Sequence, residues 1–216
     1  HVPADGPVLI ASNHISYVDF VYAGFAVQPR LVRFMAKREV FAHPIGGPVM
    51  RSMRHISVDR AQGEGSVRTA LRCLAEGEAV GIFPEPTISR AFDLKEFKSG
   101  AVRIAAQAGV PVLPVIVWGT QRMMTKDHPR DFSRGLPISM VVGEALRPTG
   151  ADTEAETTEL KSRMSALLDR AVTTYPGGTP EAAWWLPERF GGGAPTLEAA
   201  VALDAAERAK RIAARK

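Results

Sequence analysis

The chain has 216 residues, 45% of them hydrophobic and 23% charged, enough apolar material for one large or two small folded domains and too much for a disordered chain. Its one cysteine, Cys73, excludes a disulfide framework and a cysteine-rich zinc site, and fits a reducing compartment. The formal net charge of +4 agrees with anionic ligands or an anionic membrane surface, and nothing in the chain supports a nucleic-acid partner. Gly6-Pro7 followed by Val8-Leu9-Ile10-Ala11-Ser12 reads as a turn and then a strand covered on both faces. A helix is expected over residues 18–26 and a further strand over 55–59. In residues 66–75, Val67, Ala70, Leu71 and Leu74 recur at spacings of three and four, the mark of an amphipathic helix. The buried-strand pattern returns at 79–83 after Gly77 and at 112–118 after Gly109, with a helix over 99–108 between them and a last strand candidate at 137–143. Alternating strands and helices predict an α/β fold with a central, mostly parallel or mixed sheet flanked by helices.

The composition changes after Pro148-Thr149-Gly150, which divides the chain into an α/β domain at 1–150 and a helical C-terminal arm at 151–216. Residues 154–175 carry Leu160, Met164, Leu167, Leu168 and Ala171 on one stripe, a helix expected to pack on the α/β core. Then come a Trp184-Trp185 loop, a Gly191-Gly192-Gly193 hinge and an Ala-rich helix from about Thr196 that ends in Lys210, Arg211, Arg215 and Lys216. The uncharged run 104–121 is about long enough to span a bilayer, yet Gly109, Pro111, Pro114 and Gly119 divide it, so a helix end followed by a strand is expected and no transmembrane helix. No signal peptide precedes the first strand, and an opening residue of His rather than Met leaves room for an upstream anchor.

The first strand runs into Asn13-His14-Ile15-Ser16-Tyr17-Val18-Asp19, at the carboxyl end where open α/β sheets bind ligands. On one regular helix, residues five apart point about 140° away from each other. His14 and Asp19 therefore meet only if His14 lies in the turn and Asp19 on the first turn of the helix. The carboxylate would then hold one ring nitrogen and raise the basicity of the other, as a general base requires. Taken alone, a histidine at a strand end is more often a structural hydrogen-bonder. Gly81-Ile82-Phe83-Pro84-Glu85-Pro86-Thr87-Ile88-Ser89-Arg90 is a second strand running into a polar turn, where Glu85 and Thr87 by themselves read as capping residues. Arg90, Lys95 and Lys98 precede a helix start that would suit a phosphate. The five histidines, at 1, 14, 43, 55 and 128, are too dispersed for a metal site, and no metal is expected.

His-x4-Asp, then Ile56-Ser57-Val58-Asp59-Arg60, then Phe-Pro-Glu-x-Thr, then Val110-Pro111-Val112-Leu113-Pro114-Val115 resemble, in order and with compatible gaps, the four blocks of the PlsC-type glycerophospholipid acyltransferases, over roughly residues 6–143. The resemblance implies a glycerol-3-phosphate acyltransferase-like fold with His14 and Asp19 as the catalytic pair. Arg60 matches the acceptor-phosphate arginine, Glu85 and Thr87 match the glycerophosphate-binding block, and Lys37 and Lys98 match recurrent basic positions. The third block departs from the usual Glu-Gly-Thr-Arg-Ser: Pro86 replaces the glycine and Ile88 the arginine, leaving Arg90 to restore the charge. The implied reaction moves an acyl group from acyl-CoA or acyl-carrier protein, as co-substrate and without a cofactor, to lysophosphatidic acid, glycerol 3-phosphate or a lysophospholipid. That places the protein at the cytoplasmic face of a membrane, peripheral or anchored upstream. The competing expectation is a catalytically idle module that binds lipid or acyl-CoA. A serine nucleophile is not expected, since Gly-x-Ser-x-Gly is absent.

Overall fold

In the computed structural model, residues 2–44, 46–59 and 63–213 are described. Along the chain run β1 (Val8–Ser12), α1 (Asp19–Phe25), β2 (Val32–Lys37), α2 (Arg38–Ala42), α3 (Gly46–Ser52), β3 (Ile56–Val58), α4 (Gly63–Ala75) and β4 (Ala79–Ile82). These are followed by α5 (Gly100–Ala108), β5 (Val112–Trp118), β6 (Ser139–Val142), α6 (Thr153–Thr173) and α7 (Leu197–Ala213). The six strands form one sheet in the order β3-β2-β4-β1-β5-β6. β1 to β5 pair in parallel and β6 lies antiparallel to β5, so the sheet is mixed, as expected. β2, α2 and α3 were not anticipated. In β2, Arg33 interrupts the apolar run, and it is accommodated because its guanidinium pairs with Glu78, just before the neighbouring strand β4.

Strand side chains alternate between faces, so a strand buried on both sides shows no polar alternation. β1 follows this rule: Leu9 and Ala11 enter the larger core with α4, α5 and α6, while Val8 and Ile10 enter the smaller one with Ala23 of α1 and Val27. β5 divides in the same way, with Val112, Ile116 and Trp118 on one side and Leu113, Val115 and Val117 on the other. Gly81 of β4 is needed where it stands, because a Cβ there would lie 2.5 Å from the ring of Phe34.

α6 packs as its stripe requires, with Leu160, Met164, Leu168 and Ala171 fully buried. Its N-terminus is capped by Asp152, whose carboxylate accepts from the amides of Glu154 (3.1 Å) and Ala155 (2.9 Å). Leu168→Ala is expected to destabilise the protein by about 2–5 kcal/mol, through lost burial and the cavity left behind. Urea denaturation measures this, and a shift under about 0.5 kcal/mol would mean that α6 is not anchored through this residue.

Among the described residues, no helix is long and apolar enough to cross a membrane. Trp185 is buried, and Trp184 stacks on His128 with ring centroids 3.9 Å apart, so both tryptophans fasten the C-terminal arm to the core.

Candidate active site

The parallel arrangement brings the carboxyl ends of β1, β4 and β5 to one edge, and the chemistry gathers there. β1 ends at Ser12. Asn13 then prolongs the pairing with its side chain, donating from Nδ2 to the carbonyl of Val117 (2.9 Å) and accepting the amide of Val117 on Oδ1 (2.8 Å). This leaves His14 in the turn, while Asp19 becomes the first residue of α1. The required geometry results: Nδ1 of His14 lies 3.1 Å from Oδ2 of Asp19.

Asp19 is fully buried, and donors converge on it. Oδ2 accepts the amides of Ile15 and Ser16, both at 2.7 Å, and Oδ1 accepts the hydroxyl of Thr120 at 2.6 Å. A carboxylate in that setting only accepts, so Nδ1 of His14 carries the proton and Nε2 presents a lone pair. The His14 side chain keeps 23% of its surface exposed. One face of the ring stacks on Phe83 (centroids 4.2 Å apart), which stacks in turn on Phe34 (5.4 Å). An oriented imidazole with one open nitrogen can abstract a proton from a bound hydroxyl.

The neighbouring hydroxyls and the thiol are occupied elsewhere. Ser16 donates its hydroxyl to the carbonyl of Met124 (2.6 Å), and Ser12 donates to the carbonyl of Asn13. Cys73 is buried in α4, and burial raises its thiol above the usual range.

Glu85 lies beside His14 and is buried, with Oε1 accepting the amide of His14 (2.9 Å) and Oε2 the amide of Lys95 (3.1 Å). It thus braces the turn from behind. Burial pushes its carboxyl up to about 7, against those two amides, which favour the ionised form. The folded state then holds more protons than the unfolded chain between pH 4.5 and about 7, so this group's contribution to stability falls as pH rises through that window. Denaturation at about pH 5 and about pH 7.5 is expected to show wild type losing up to about 3 kcal/mol relative to Glu85→Gln, and identical pH dependence in both would contradict it.

The other sequence-predicted residues are distributed unevenly. Thr87 and Lys37 are half-buried and Lys98 is exposed. Arg60 lies outside the described residues. Arg90 is buried, and its guanidinium is engaged by Asp127, Asp204 and Glu207. Ile88, in the place of the usual arginine, is buried as an apolar residue. No group of three or more His, Cys, Asp or Glu that could hold a metal ion occurs among the described residues.

Sequence reasoning missed Thr120 and Thr125, which hold Asp19 and the carbonyl of Ile15 (2.7 Å). Their one signal is position, since β5 is parallel to β1 and the residues after its end reach the same edge. Gly119 makes that approach possible: its φ is 102°, and a Cβ would meet the carbonyl oxygen of Pro137 at 2.4 Å.

A family model described as acyltransferase matches residues 1–118. A 1-acyl-sn-glycerol-3-phosphate acyltransferase of Chlamydomonas reinhardtii is 35% identical over 149 residues, covering 68% of this chain and 44% of that protein. One of Bacillus subtilis (strain 168) is 32% identical over 147 residues, covering 68% of this chain and 70% of its own length. The chain thus spans less than half of the algal relative. The crystal structure of the 1-acyl-sn-glycerophosphate acyltransferase PlsC from Thermotoga maritima shares the fold, with a TM-score of 0.64 and 24% identity over 78% of this chain and 68% of that one. With its matched segment containing the His14 and Asp19 pair, the chain belongs to the acyltransferase family.

Proposed function

We propose that the protein transfers a fatty acyl group from an acyl thioester of coenzyme A or acyl-carrier protein to a hydroxyl of lysophosphatidic acid, in phospholipid synthesis at the cytoplasmic face of a membrane. The observation that carries this reading is the His14 Nδ1 contact to a buried, fully bonded Asp19, which leaves Nε2 available. The names of the relatives support the acceptor.

In this mechanism Nε2 takes the acceptor's hydroxyl proton as its oxygen attacks the thioester carbonyl. The new C–O bond forms, the tetrahedral intermediate collapses, and the C–S bond breaks. The departing thiolate takes the proton back from the imidazolium, which Asp19 stabilises meanwhile. No acyl-enzyme is required, in keeping with the bonded hydroxyls of Ser12 and Ser16 and the buried Cys73. The amides of Ile15 and Ser16 are taken by Asp19, so they do not serve the developing oxyanion. The thioester is a co-substrate, and no cofactor takes part.

Arg60, Lys37 and Lys98 grip the acceptor phosphate in this reading, with Thr87 at the glycerol. They carry more of that task than in relatives with a third-block arginine, because Ile88 is apolar and Arg90 faces carboxylates. Arg60→Ala is expected to raise KM for the acceptor by roughly tenfold to a hundredfold, the loss of one charge-assisted contact, with KM for the donor unchanged. A defect confined to the donor would contradict the assignment.

A thiol-release assay with acyl-CoA and lysophosphatidic acid, with products identified by mass spectrometry, tests the reading. The expected result is one thiol released per phosphatidic acid formed. Binding of both ligands without release would indicate an idle lipid-binding module, and fatty acid formed without acceptor would indicate an esterase.

A further inference from the structure

Two irregular loops hold the His14 turn. The loop after β4 reaches it through the amide of Ser89, which donates to the carbonyl of His14 (2.7 Å), and through Glu85, which joins the amides of His14 and Lys95. The loop after β5 reaches it through Thr125, which donates to the carbonyl of Ile15, and through the carbonyl of Met124, which accepts the amide of Tyr17 (3.0 Å) and the hydroxyl of Ser16 (2.6 Å). Beside these contacts stand three cations: Arg90 next to Ser89, Lys95 itself, and Lys126 next to Thr125. All three are at most 10% exposed at the side chain. Arg90 and Lys95 on one loop and Lys126 on the other repel one another at low dielectric, and Asp127 of the second loop, which meets Arg90, offsets one of the three charges.

Carboxylates from α7 reverse this repulsion. Asp204 reaches Arg90 and Lys95 (2.6 Å) on the first loop and Lys126 (3.0 Å) on the second. Glu207 likewise reaches Arg90 (2.9 Å) and Lys126 (3.0 Å). We propose that Asp204 and Glu207 are positioning residues for catalysis, tying together across α7 the two loops that hold His14 in register with Asp19. The proposal rests on the reading of His14 as the general base. The arm that delivers α7 is itself fastened to the same loops, by Trp184 stacked on His128 and by Arg189 paired with Asp93. Arg90, in the block where family resemblance would place a phosphate ligand, becomes a structural cation held by Asp127 of the second loop and by Asp204 and Glu207 from the far end of the chain.

The test is Asp204→Asn combined with Glu207→Gln in the full chain. The expected result is a fall in kcat of roughly tenfold to a hundredfold with KM for acyl-CoA within about twofold, the size seen when a supporting shell is loosened. A downfield proton resonance of the His14 Nδ1–H is expected in wild type and not in His14→Ala, and in the double variant it should broaden or vanish while far-UV circular dichroism is unchanged. Asp204→Glu should recover most of the activity. Glu159→Gln, which removes the exposed Arg163 pair on α6, should leave rate and resonance alone. If the double variant does not fold, Glu207→Gln alone should give a smaller loss of the same kind. Wild-type kcat and an intact resonance in the folded variant would overturn the proposal. The two failures are separable: turnover surviving in His14→Ala overturns the catalytic reading, whereas a dead His14→Ala beside a fully active double variant overturns only the brace.

Discussion

His14→Ala is expected to lose acyl transfer by three orders of magnitude or more, near the upper part of the range for removing a general base, while the protein stays folded. The side chain is partly exposed, makes one hydrogen bond, and contributes one stacked contact with Phe83, so its removal opens no sealed cavity. The midpoint of thermal unfolding should therefore move by only a few degrees. Stopped-time thiol release at saturating donor and acceptor measures the rate, and binding of acyl-CoA should persist because the imidazole acts on the acceptor hydroxyl. A folded His14→Ala protein with wild-type turnover would refute the mechanism. A protein that lost activity only in proportion to its unfolded fraction would refute the claim that this residue is dispensable for folding.

For Asp19, two substitutions are expected to differ in kind. Four donors converge on its carboxylate: the amides of Ile15 and Ser16 and the ring nitrogen of His14 on Oδ2, and the hydroxyl of Thr120 on Oδ1. An asparagine can keep its carbonyl oxygen toward the two amides and turn its NH2 toward Thr120, whose hydroxyl can reverse and accept. Asp19→Asn should therefore fold, yet lose on the order of a hundredfold to a thousandfold in kcat, since the imidazolium formed during transfer no longer faces a negative charge. Asp19→Ala leaves the buried amides of Ile15 and Ser16 without an acceptor and should cost roughly 2–5 kcal/mol of stability besides the activity. Urea denaturation and kcat measured on both variants separate the two effects. Equal stability of the asparagine and alanine variants would mean that the amide contacts are not what holds the turn.

The expected pairing of His14 with Asp19 was legible because it follows from covalent reach. A turn residue and the first residue of the next helix are neighbours in space once the strand ends where its apolar run ends. Thr120 was not legible, since it lies 101 residues away and reaches Asp19 only through the parallel pairing of β1 and β5. From the sequence, Glu85 reads as a capping residue or, by resemblance, as an acceptor-binding one. It proves to be a buried acceptor of two backbone amides, a role that depends on how deeply the loop after β4 sinks against the sheet. Arg90 shows the same limit more sharply. Nothing within the third block distinguishes a cation that faces a phosphate from one that faces Asp204 and Glu207, because those partners are 114 and 117 residues further along.

What the sequence by itself determined was everything governed by near neighbours. It set the continuous apolar runs of β1, β4 and β5, the three-and-four spacing of α4 and α6, and the turn that seats a histidine at a strand end. These follow from backbone periodicity and the need to bury apolar area, both of which are written into windows of ten to twenty residues. Tertiary structure alone decided the strand order, the presence of β2 with its Glu78-paired arginine, the donors around Asp19, and which cations stand beside carboxylates. Electrostatic and hydrogen-bond partners are chosen by proximity after folding, and proximity between residues a hundred positions apart leaves no periodic trace in the chain.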